Sequence, residues 1–262
     1  MTDKLNQSAE LFDVSGRVAL VTGASSGLGR RFAQVLAAHG AAVAVAARRR
    51  DRLNALCDEI EADGGRAAAV ALDVTDPASV NAAFDAAADA LGPVDIVINN
   101  AGVPSAGMLA DVGDDDWRAV LDVNLDGVFR VAREAARRMA DEGRGGSIVN
   151  IASILGLGVL RGLGPYAVSK AAVVQLTKAL AVEGARGGIR VNALAPGYFA
   201  TEINSDFLES AAGEKMRAKV PMARFGKPGE LDGALLLLAS EAGAFMTGSV
   251  LVVDGGHSLA IG

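Results

Sequence analysis

The chain has 262 residues, of which 51% are hydrophobic and 21% are charged, a composition typical of globular proteins. Its net charge of −6, with basic residues scattered, argues against a nucleic acid or a membrane as partner. Because Cys57 is the single cysteine, the chain has no intramolecular disulfide, which fits a reducing compartment. The two histidines are far apart in sequence, so no metal site is predicted.

The N-terminal residues are polar and lack an apolar core of signal-peptide length. We therefore expect a flexible leader over residues 1–14 and one domain over residues 15–262. No apolar stretch is long enough to cross a bilayer, so a cytoplasmic location is expected.

A buried strand, Val18–Thr22, leads directly into a turn with the glycine spacing GxxxGxG and then into a helical pattern. In this context Gly23 permits the tight turn, Gly27 lets backbone amides approach a pyrophosphate, and Gly29 allows close packing of helix and strand. The helix N-terminus offers partial positive charge to phosphates. The pattern predicts a dinucleotide site, with a glycine-rich turn of no function as the alternative.

The second predicted strand, residues 43–47, is followed by three arginines. An acidic residue at this position would hold the ribose 2′-hydroxyl of NAD, whereas an arginine accommodates a 2′-phosphate. Arg48 is the best candidate for that contact, and we interpret Arg49 and Arg50 as the solvated start of the next helix. The pattern favours NADP and leaves NAD use open.

Polar residues also follow the third strand, residues 67–72, and the fourth, residues 94–98. Asp73, before Val74, can accept a hydrogen bond from an adenine amino group or cap the next helix. The fourth strand is closed by Asn99, Asn100, Ala101 and Gly102. These residues can lie against a flat cofactor, but hydrogen bonding to otherwise unpaired backbone is their larger expected role.

A second group of residues predicts acid–base chemistry. Asn124 interrupts the apolar stripe of residues 114–141, which indicates a satisfied structural amide or a helix kink. Ser153 follows the fifth strand, and Tyr166 and Lys170 are spaced to share one helix face. A neighbouring ammonium is expected to lower the pKa of a phenol from near 10. The alternatives are a carbonyl-reducing site and an ordinary solvated helix face.

The C-terminal third supplies a sixth strand, residues 189–194, and a last one, residues 249–253. Between them, residues 201–219 are polar and weakly periodic, which predicts a mobile substrate lid. Seven strands alternating with helices predict a single α/β domain. Its doubly wound parallel sheet would carry helices on both faces, the Rossmann fold.

With these residues collected, the chain resembles the short-chain dehydrogenase/reductase family over about residues 15 to 257, and its 3-oxoacyl reductases in particular. The resemblance rests on the following motifs, in chain order: the glycine-rich turn, Asp73, residues 99–102, Asn124, Ser153, Tyr166 with Lys170, residues 189–192, and Pro196-Gly197 with Thr201.

The resemblance implies a role for each motif. Tyr166 would protonate the carbonyl oxygen. Lys170 would lower the pKa of Tyr166 and hold the nicotinamide ribose. Ser153 would bind the substrate oxygen, Asn124 would fix a water that links Lys170 to solvent, and Thr201 would contact the nicotinamide carboxamide. The expected cofactor-binding residues are Gly23, Ser25, Ser26, Gly27, Leu28, Gly29, Arg48, Asp73, Val74, Asn100, Ala101, Gly102, Tyr166, Lys170, Pro196, Gly197 and Thr201.

One position departs from the family pattern. Many NADP-using relatives carry a basic residue just before the second glycine of the turn, where this chain has Ser26. The NADP pattern has two basic positions, and this chain has a basic residue only at the second, Arg48.

The expected substrate-binding residues are Ser153, Leu155, Tyr166 and Tyr198. Together with further apolar candidates they suit an apolar ketone or secondary alcohol better than a sugar, and the resemblance makes a 3-oxoacyl thioester the default. A non-catalytic NADP-binding regulator is the alternative, and the resemblance also implies a dimer or tetramer of identical chains. The further candidates for the pocket are Leu157, Val159, Leu160, Phe199, Ile203 and Phe207.

Overall fold

The computed structural model describes residues 10–202 and 204–260. In this part of the chain seven strands form one parallel sheet in the order β3-β2-β1-β4-β5-β6-β7. The strand order reverses between β1 and β4, so a crevice is expected there at the carboxyl ends. The strands are β1 Val18–Thr22, β2 Ala42–Ala47, β3 Arg66–Ala71, β4 Ile96–Asn99, β5 Gly146–Ile151, β6 Ile189–Pro196 and β7 Val250–Val253.

Helices cover both faces of the sheet, because successive strand side chains point to opposite sides. One core packs α1, α2 and α9 against one face, and a second core packs α3, α5 and α6 against the other. The predicted doubly wound fold is confirmed. The helices are α1 Gly27–Ala38, α2 Arg50–Ala62, α3 Pro77–Leu91, α4 Asp114–Leu121, α5 Gly127–Asp141, α6 Gly164–Gly184, α7 Ser205–Glu209, α8 Ala211–Arg217 and α9 Asp232–Ala239.

The long helical pattern of residues 114–141 is divided into α4 and α5. A π-helical turn, Asp122–Asp126, joins them and contains Asn124. A helix kink at Asn124 was one of the two expectations, and the π-helical turn is a local irregularity of the helical hydrogen bonding at that residue. Phe129, which belongs to the apolar stripe of this pattern, is nevertheless 40% exposed, and the Arg133 guanidinium lies 5.0 Å from its ring centre.

Residues 1–9 of the predicted leader and the pocket candidate Ile203 lie outside the described residues, so the domain boundary stays a prediction. Within residues 10–14, Val14 is buried, and the Leu11 carbonyl accepts a hydrogen bond from the backbone of Ala242 at 3.0 Å. Among the helices of the described ranges, none has the length and apolar character needed to cross a membrane.

Candidate functional site

A cavity of about 620 Å³ opens at the carboxyl ends of the strands, where the strand order reverses. Segments that follow all six strands from β1 to β6 line it, although they are far apart in sequence. The predicted catalytic and cofactor-binding residues all line this cavity except Gly29 and Asn124.

The turn between β1 and α1 requires glycine at specific positions. Gly23 and Gly27 have φ values of 67° and 57°, in the left-handed region. A Cβ on Gly29 would overlap the Gly23 carbonyl and the Asn100 amide, so Gly29 acts in packing rather than as part of the wall. The first turn of α1 has neither an acidic residue nor a side-chain cap, and this free helix N-terminus fits a phosphate group.

Thr22 and Asn100 join the ends of β1 and β4. The Thr22 hydroxyl accepts hydrogen bonds from the backbone N–H groups of Asn100 at 3.0 Å and Ala101 at 2.9 Å. The Asn100 amide donates in turn to the Thr22 carbonyl at 3.0 Å. These bonds satisfy backbone groups that the diverging strands leave unpaired, the role expected from the sequence.

Arg49 is exposed at the start of α2, as expected, but it also belongs to the cavity wall. Its guanidinium donates to the hydroxyls of Ser25 at 2.8 Å and Ser26 at 3.1 Å. It therefore brings a cation to the place where the family pattern has a basic residue and this chain has Ser26. Arg48 lines the same cavity beside Asp73. The adjacent hydroxyls of Ser25 and Ser26 indicate that a donor could bind there, but the sequence does not show that this donor is Arg49.

Asp73 does not cap the helix that follows it. Its Oδ1 accepts from the Thr75 hydroxyl at 2.7 Å and from the Thr75 backbone at 3.0 Å. These bonds lower the pKa of Asp73, with a smaller contribution from the charge of Arg48. The cap of α3 is Asp76, which accepts from the backbone of Ala78 at 2.9 Å. The Asp73 carboxylate is consequently ionised at the cavity wall.

Ser153, Tyr166 and Lys170 meet at the other end of the cavity. The Ser153 oxygen accepts from the backbone of Leu155 at 3.1 Å, which fixes the hydroxyl at the end of β5. The Lys170 ammonium lies 5.7 Å from the centre of the Tyr166 ring and donates to the Ile151 carbonyl at 2.7 Å. The i, i+4 spacing thus holds the two side chains on one side of α6, as predicted.

Burial dominates the protonation of this pair. It lowers the pKa of Lys170 to about 8 and raises the pKa of Tyr166, which a hydrogen bond with Ser153 only partly opposes. The expectation that Lys170 lowers the pKa of Tyr166 is therefore not met in this structure. The reason is that desolvation penalises the phenolate and the ammonium alike. Tyr166 is a neutral phenol at pH 7.

Asn124 is buried, and both hydrogens of its amide have acceptors, while its oxygen has room for a second donor. Its Oδ1 accepts from the Val103 backbone at 2.7 Å, and its Nδ2 donates to the Val103 carbonyl at 2.9 Å and to the Ser169 hydroxyl at 3.2 Å. Asn124 and Lys170 both approach Gly102: a Cβ built there would be 3.3 Å from the Asn124 oxygen and 3.7 Å from the Lys170 nitrogen. Its water-holding role stays a prediction.

The end of the cavity beyond Tyr166 is largely apolar. Tyr198 lines it, and its ring packs 5.6 Å from His257 and 6.3 Å from Phe207 between ring centres. Thr201 is held by Asn204, whose Oδ1 accepts from its backbone at 2.9 Å and from its hydroxyl at 3.1 Å. Leu155 and Phe199 belong to the lining, whereas Leu157, Val159, Leu160 and Phe207 do not. The residues of the lining that the sequence did not predict include Val103, Pro104, Ser105, Leu163 and Asn204.

The geometry agrees with comparisons to known proteins. The family model described as Enoyl-(Acyl carrier protein) reductase matches residues 23–258. The chain is 39% identical over 253 residues to gluconate 5-dehydrogenase of Gluconobacter oxydans (strain 621H), covering 96% of this chain and 98% of the relative. It is 37% identical over 243 residues to 3-oxoacyl-[acyl-carrier-protein] reductase FabG of Thermotoga maritima, covering 93% and 98%.

The chain belongs to the short-chain dehydrogenase/reductase family. Solved structures of the family superpose closely on it. A short-chain type dehydrogenase/reductase from Mycobacterium marinum is 44% identical, with a TM-score of 0.91 and coverage of 95% of this chain and 98% of that one. A gluconate 5-dehydrogenase from Burkholderia cenocepacia J2315, in complex with NADP and tartrate, is 39% identical, with a TM-score of 0.93 and coverage of 97% and 100%.

The burial of Lys170 predicts a pH-dependent stability for this family member. Its pKa is about 8 in the folded chain and 10.5 ordinarily, so the unfolded chain binds more protons between these values. Stability therefore rises with pH across this window, and the penalty for the buried ammonium is complete below pH 8. Relative to Lys170→Met, the wild type should gain at most about 1.4 kcal/mol of unfolding free energy per pH unit.

Denaturant unfolding from pH 7 to pH 10 measures this gain. Lys178→Met is the matched control, because Lys178 is an exposed lysine on the same helix. If the two variants had the same pH dependence, Lys170 would not carry the shifted pKa.

Proposed function

We propose that this chain is an NADP-dependent reductase and dehydrogenase that transfers a hydride between NADP(H) and an apolar ketone or secondary alcohol. The observation that carries the proposal is one continuous cavity. It holds Ser153, Tyr166 and Lys170 at one end, and the glycine-rich turn with Arg48 and Arg49 at the other. The family relationship supports an oxidoreductase, and none of the comparisons favours a non-catalytic regulator.

Tyr166 is the proposed acid. Because burial keeps its phenol neutral, it can donate a proton to a carbonyl oxygen at pH 7. The Ser153 oxygen accepts from Leu155, and its one hydroxyl hydrogen, which bonds to Tyr166 in this structure, can turn to the same carbonyl oxygen. Two donors aimed at one oxygen stabilise the negative charge that develops there. The hydride itself comes from bound NADPH.

Lys170 is proposed to hold the nicotinamide ribose and to return protons to Tyr166. One of its three N–H bonds is used by the Ile151 carbonyl, which leaves two for ribose hydroxyls. Its pKa of about 8 allows it to gain and lose a proton near neutral pH. Asn124 is proposed to hold the water that connects this lysine to solvent. Reduction is the direction that a neutral Tyr166 favours at pH 7.

The cofactor end is proposed to select NADP. Arg48 and Arg49 place two guanidinium groups beside the turn, and guanidinium matches the geometry of a phosphate. The free N-terminus of α1 suits the pyrophosphate. Asp73 is assigned to the adenine amino group, and Thr201 to the nicotinamide carboxamide. The solved gluconate 5-dehydrogenase from Burkholderia cenocepacia contains NADP, which supports this choice.

The substrate end is proposed to take an uncharged apolar substrate. The cationic residues that line the cavity within the described ranges are Arg48, Arg49 and Lys170, and all three are assigned to the cofactor. A sugar acid such as gluconate would leave its carboxylate without a cation there, although a relative named for that substrate is 39% identical. Leu155, Leu163 and Tyr198 instead offer apolar surface, which suits a 3-oxoacyl thioester.

The acid role is tested by Tyr166→Phe, which keeps the ring and removes the proton. We expect kcat/KM for reduction to fall by about 10²- to 10⁴-fold while NADPH binding is unchanged. The assay follows NADPH absorbance with apolar ketones, 3-oxoacyl thioesters and keto sugar acids. Tyr198→Phe removes a phenol from the same cavity and should stay within a few-fold of the wild type. Full activity in Tyr166→Phe would contradict the acid role, and preferred turnover of sugar acids would contradict the substrate proposal.

The cofactor role of both arginines is tested by Arg48→Gln and Arg49→Gln. Each should lower the ratio of kcat/KM for NADP to that for NAD by about 10- to 100-fold, because a charged contact to a phosphate is lost. Arg50→Gln is the control, since this exposed arginine of the same run does not line the cavity. An unchanged ratio in Arg49→Gln would reduce Arg49 to a structural contact of Ser25 and Ser26.

We also propose a homo-oligomer, a dimer or a tetramer. Apolar side chains are exposed on α5 and α6: Phe129 and Val168 are 40% and 45% exposed, and Val182 is 81% exposed. Association of identical chains would cover these side chains. Sedimentation velocity on the purified protein should show an assembly larger than one chain, and a monomer at micromolar concentration would exclude it.

A further inference from the structure

A second cavity, of about 580 Å³, lies at the opposite end of the sheet from the candidate active site. Residues at the amino ends of β4, β5 and β6 line it, together with the segment that follows α9. It is nearly as large as the first cavity, large enough for a small organic ligand. Three arginines, Arg17, Arg144 and Arg190, line it, and nothing in the proposed reaction uses them.

Two of these arginines lie beside one buried carboxylate. Asp95 is 2% exposed, and its Oδ2 accepts from the backbone of Val18 at 2.9 Å. Its Oδ1 contacts the Arg144 guanidinium and lies 3.9 Å from that of Arg17. Arg17 also pairs with the exposed Glu241 at 3.2 Å. Asp95 therefore serves the start of β1 and two of the arginines, and no contact joins it to the third.

Arg190 is the cation that this network does not pair. Within the described residues no carboxylate oxygen lies within 4.0 Å of its guanidinium nitrogens. Two of its N–H groups donate to the carbonyls of Leu238 and Ser240, each at 3.0 Å. Burial lowers the pKa of Arg190, the charge of Arg17 adds to this, and Glu241 opposes it. A half-buried guanidinium is thus held rigidly with three of its five N–H bonds unassigned.

The lining of this cavity has an excess of positive charge. Three guanidinium groups face two carboxylates, Asp95 and Glu241, while Glu142 approaches Arg144 at 3.9 Å from outside the lining. Phe245 also lines the cavity, and its side chain is fully exposed, so an apolar surface adjoins the charged one. The half-buried Arg190 has neutral carbonyls as its partners, so an anionic ligand would supply the counter-charge that the described residues do not place beside it.

We propose that this cavity is a binding site for a small organic oxyanion, a phosphate or carboxylate on an apolar body. Arg190 and Arg144 hold the anionic group, because guanidinium groups match both oxyanions in geometry. Phe245 contacts the apolar body. The site lies at the amino ends of the strands, so it is separate from the cofactor and substrate cavity.

The probes are phenyl phosphate, benzoate and inorganic phosphate, titrated by calorimetry. Because Arg48 and Arg49 offer a second place for a phosphate, the parent protein is the Arg48→Gln/Arg49→Gln double variant. We expect one site on it that binds phenyl phosphate or benzoate more tightly than inorganic phosphate. The stronger of the two aromatic probes identifies the preferred oxyanion. Absence of binding by all three probes would overturn the proposal. This is the result expected if a second copy of the chain fills the cavity.

Three further variants assign binding to the cavity. Glu241→Gln removes an exposed carboxylate from the lining and should tighten binding roughly fivefold. Glu214→Gln makes the same change of net charge on α8, where Glu214 pairs with Arg217, and should change nothing. Arg190→Gln should weaken binding by about tenfold or more.

Arg190 also supports two carbonyls, so its variant requires an intact fold by circular dichroism. If that variant does not fold, Phe245→Ala takes its place and should weaken the aromatic probes while sparing inorganic phosphate. If Glu241→Gln and Glu214→Gln changed probe binding equally, the three arginines would have a structural role only, and the proposal would be overturned.

Discussion

The crossing between β1 and β4 is the constraint on which the candidate site depends. At this point the chain leaves two neighbouring strands in opposite directions, and their last backbone groups lose their ladder partners. Thr22 and Asn100 supply the missing hydrogen bonds, and Gly29 lets the first helix approach that contact. Because the crevice is held open there, turns from six strands can face one cavity.

Desolvation sets the chemistry within that cavity. Lys170 is almost completely removed from water, and Tyr166 is half-buried beside it. Burial keeps the phenol protonated and makes the lysine easier to deprotonate. The pair therefore suits donation of a proton to a carbonyl oxygen, followed by reprotonation through the lysine. In the proposed reaction the lysine acts through its position and its proton more than through a large effect on the pKa of the phenol.

The two ends of the sheet use charge in different ways. At the carboxyl ends, the free N-terminus of α1 and two arginines, Arg48 and Arg49, lie at the wall of the first cavity. At the amino ends, Asp95 gathers arginines from separate segments and stabilises the starts of β1 and β5. Arg190 has no carboxylate within 4.0 Å among the described residues. Under the two proposals the same scaffold would hold anionic groups at both ends, by unrelated sets of residues.

The sequence by itself determined the order of strands and helices, the glycine-rich turn and the shared face of Tyr166 and Lys170. These features follow from local periodicity and spacing, which a short segment specifies alone. Only the tertiary structure placed Arg49 against Ser25 and showed that burial raises the pKa of Tyr166. Contacts between distant segments and removal from water depend on how the whole chain packs, so no local pattern encodes them.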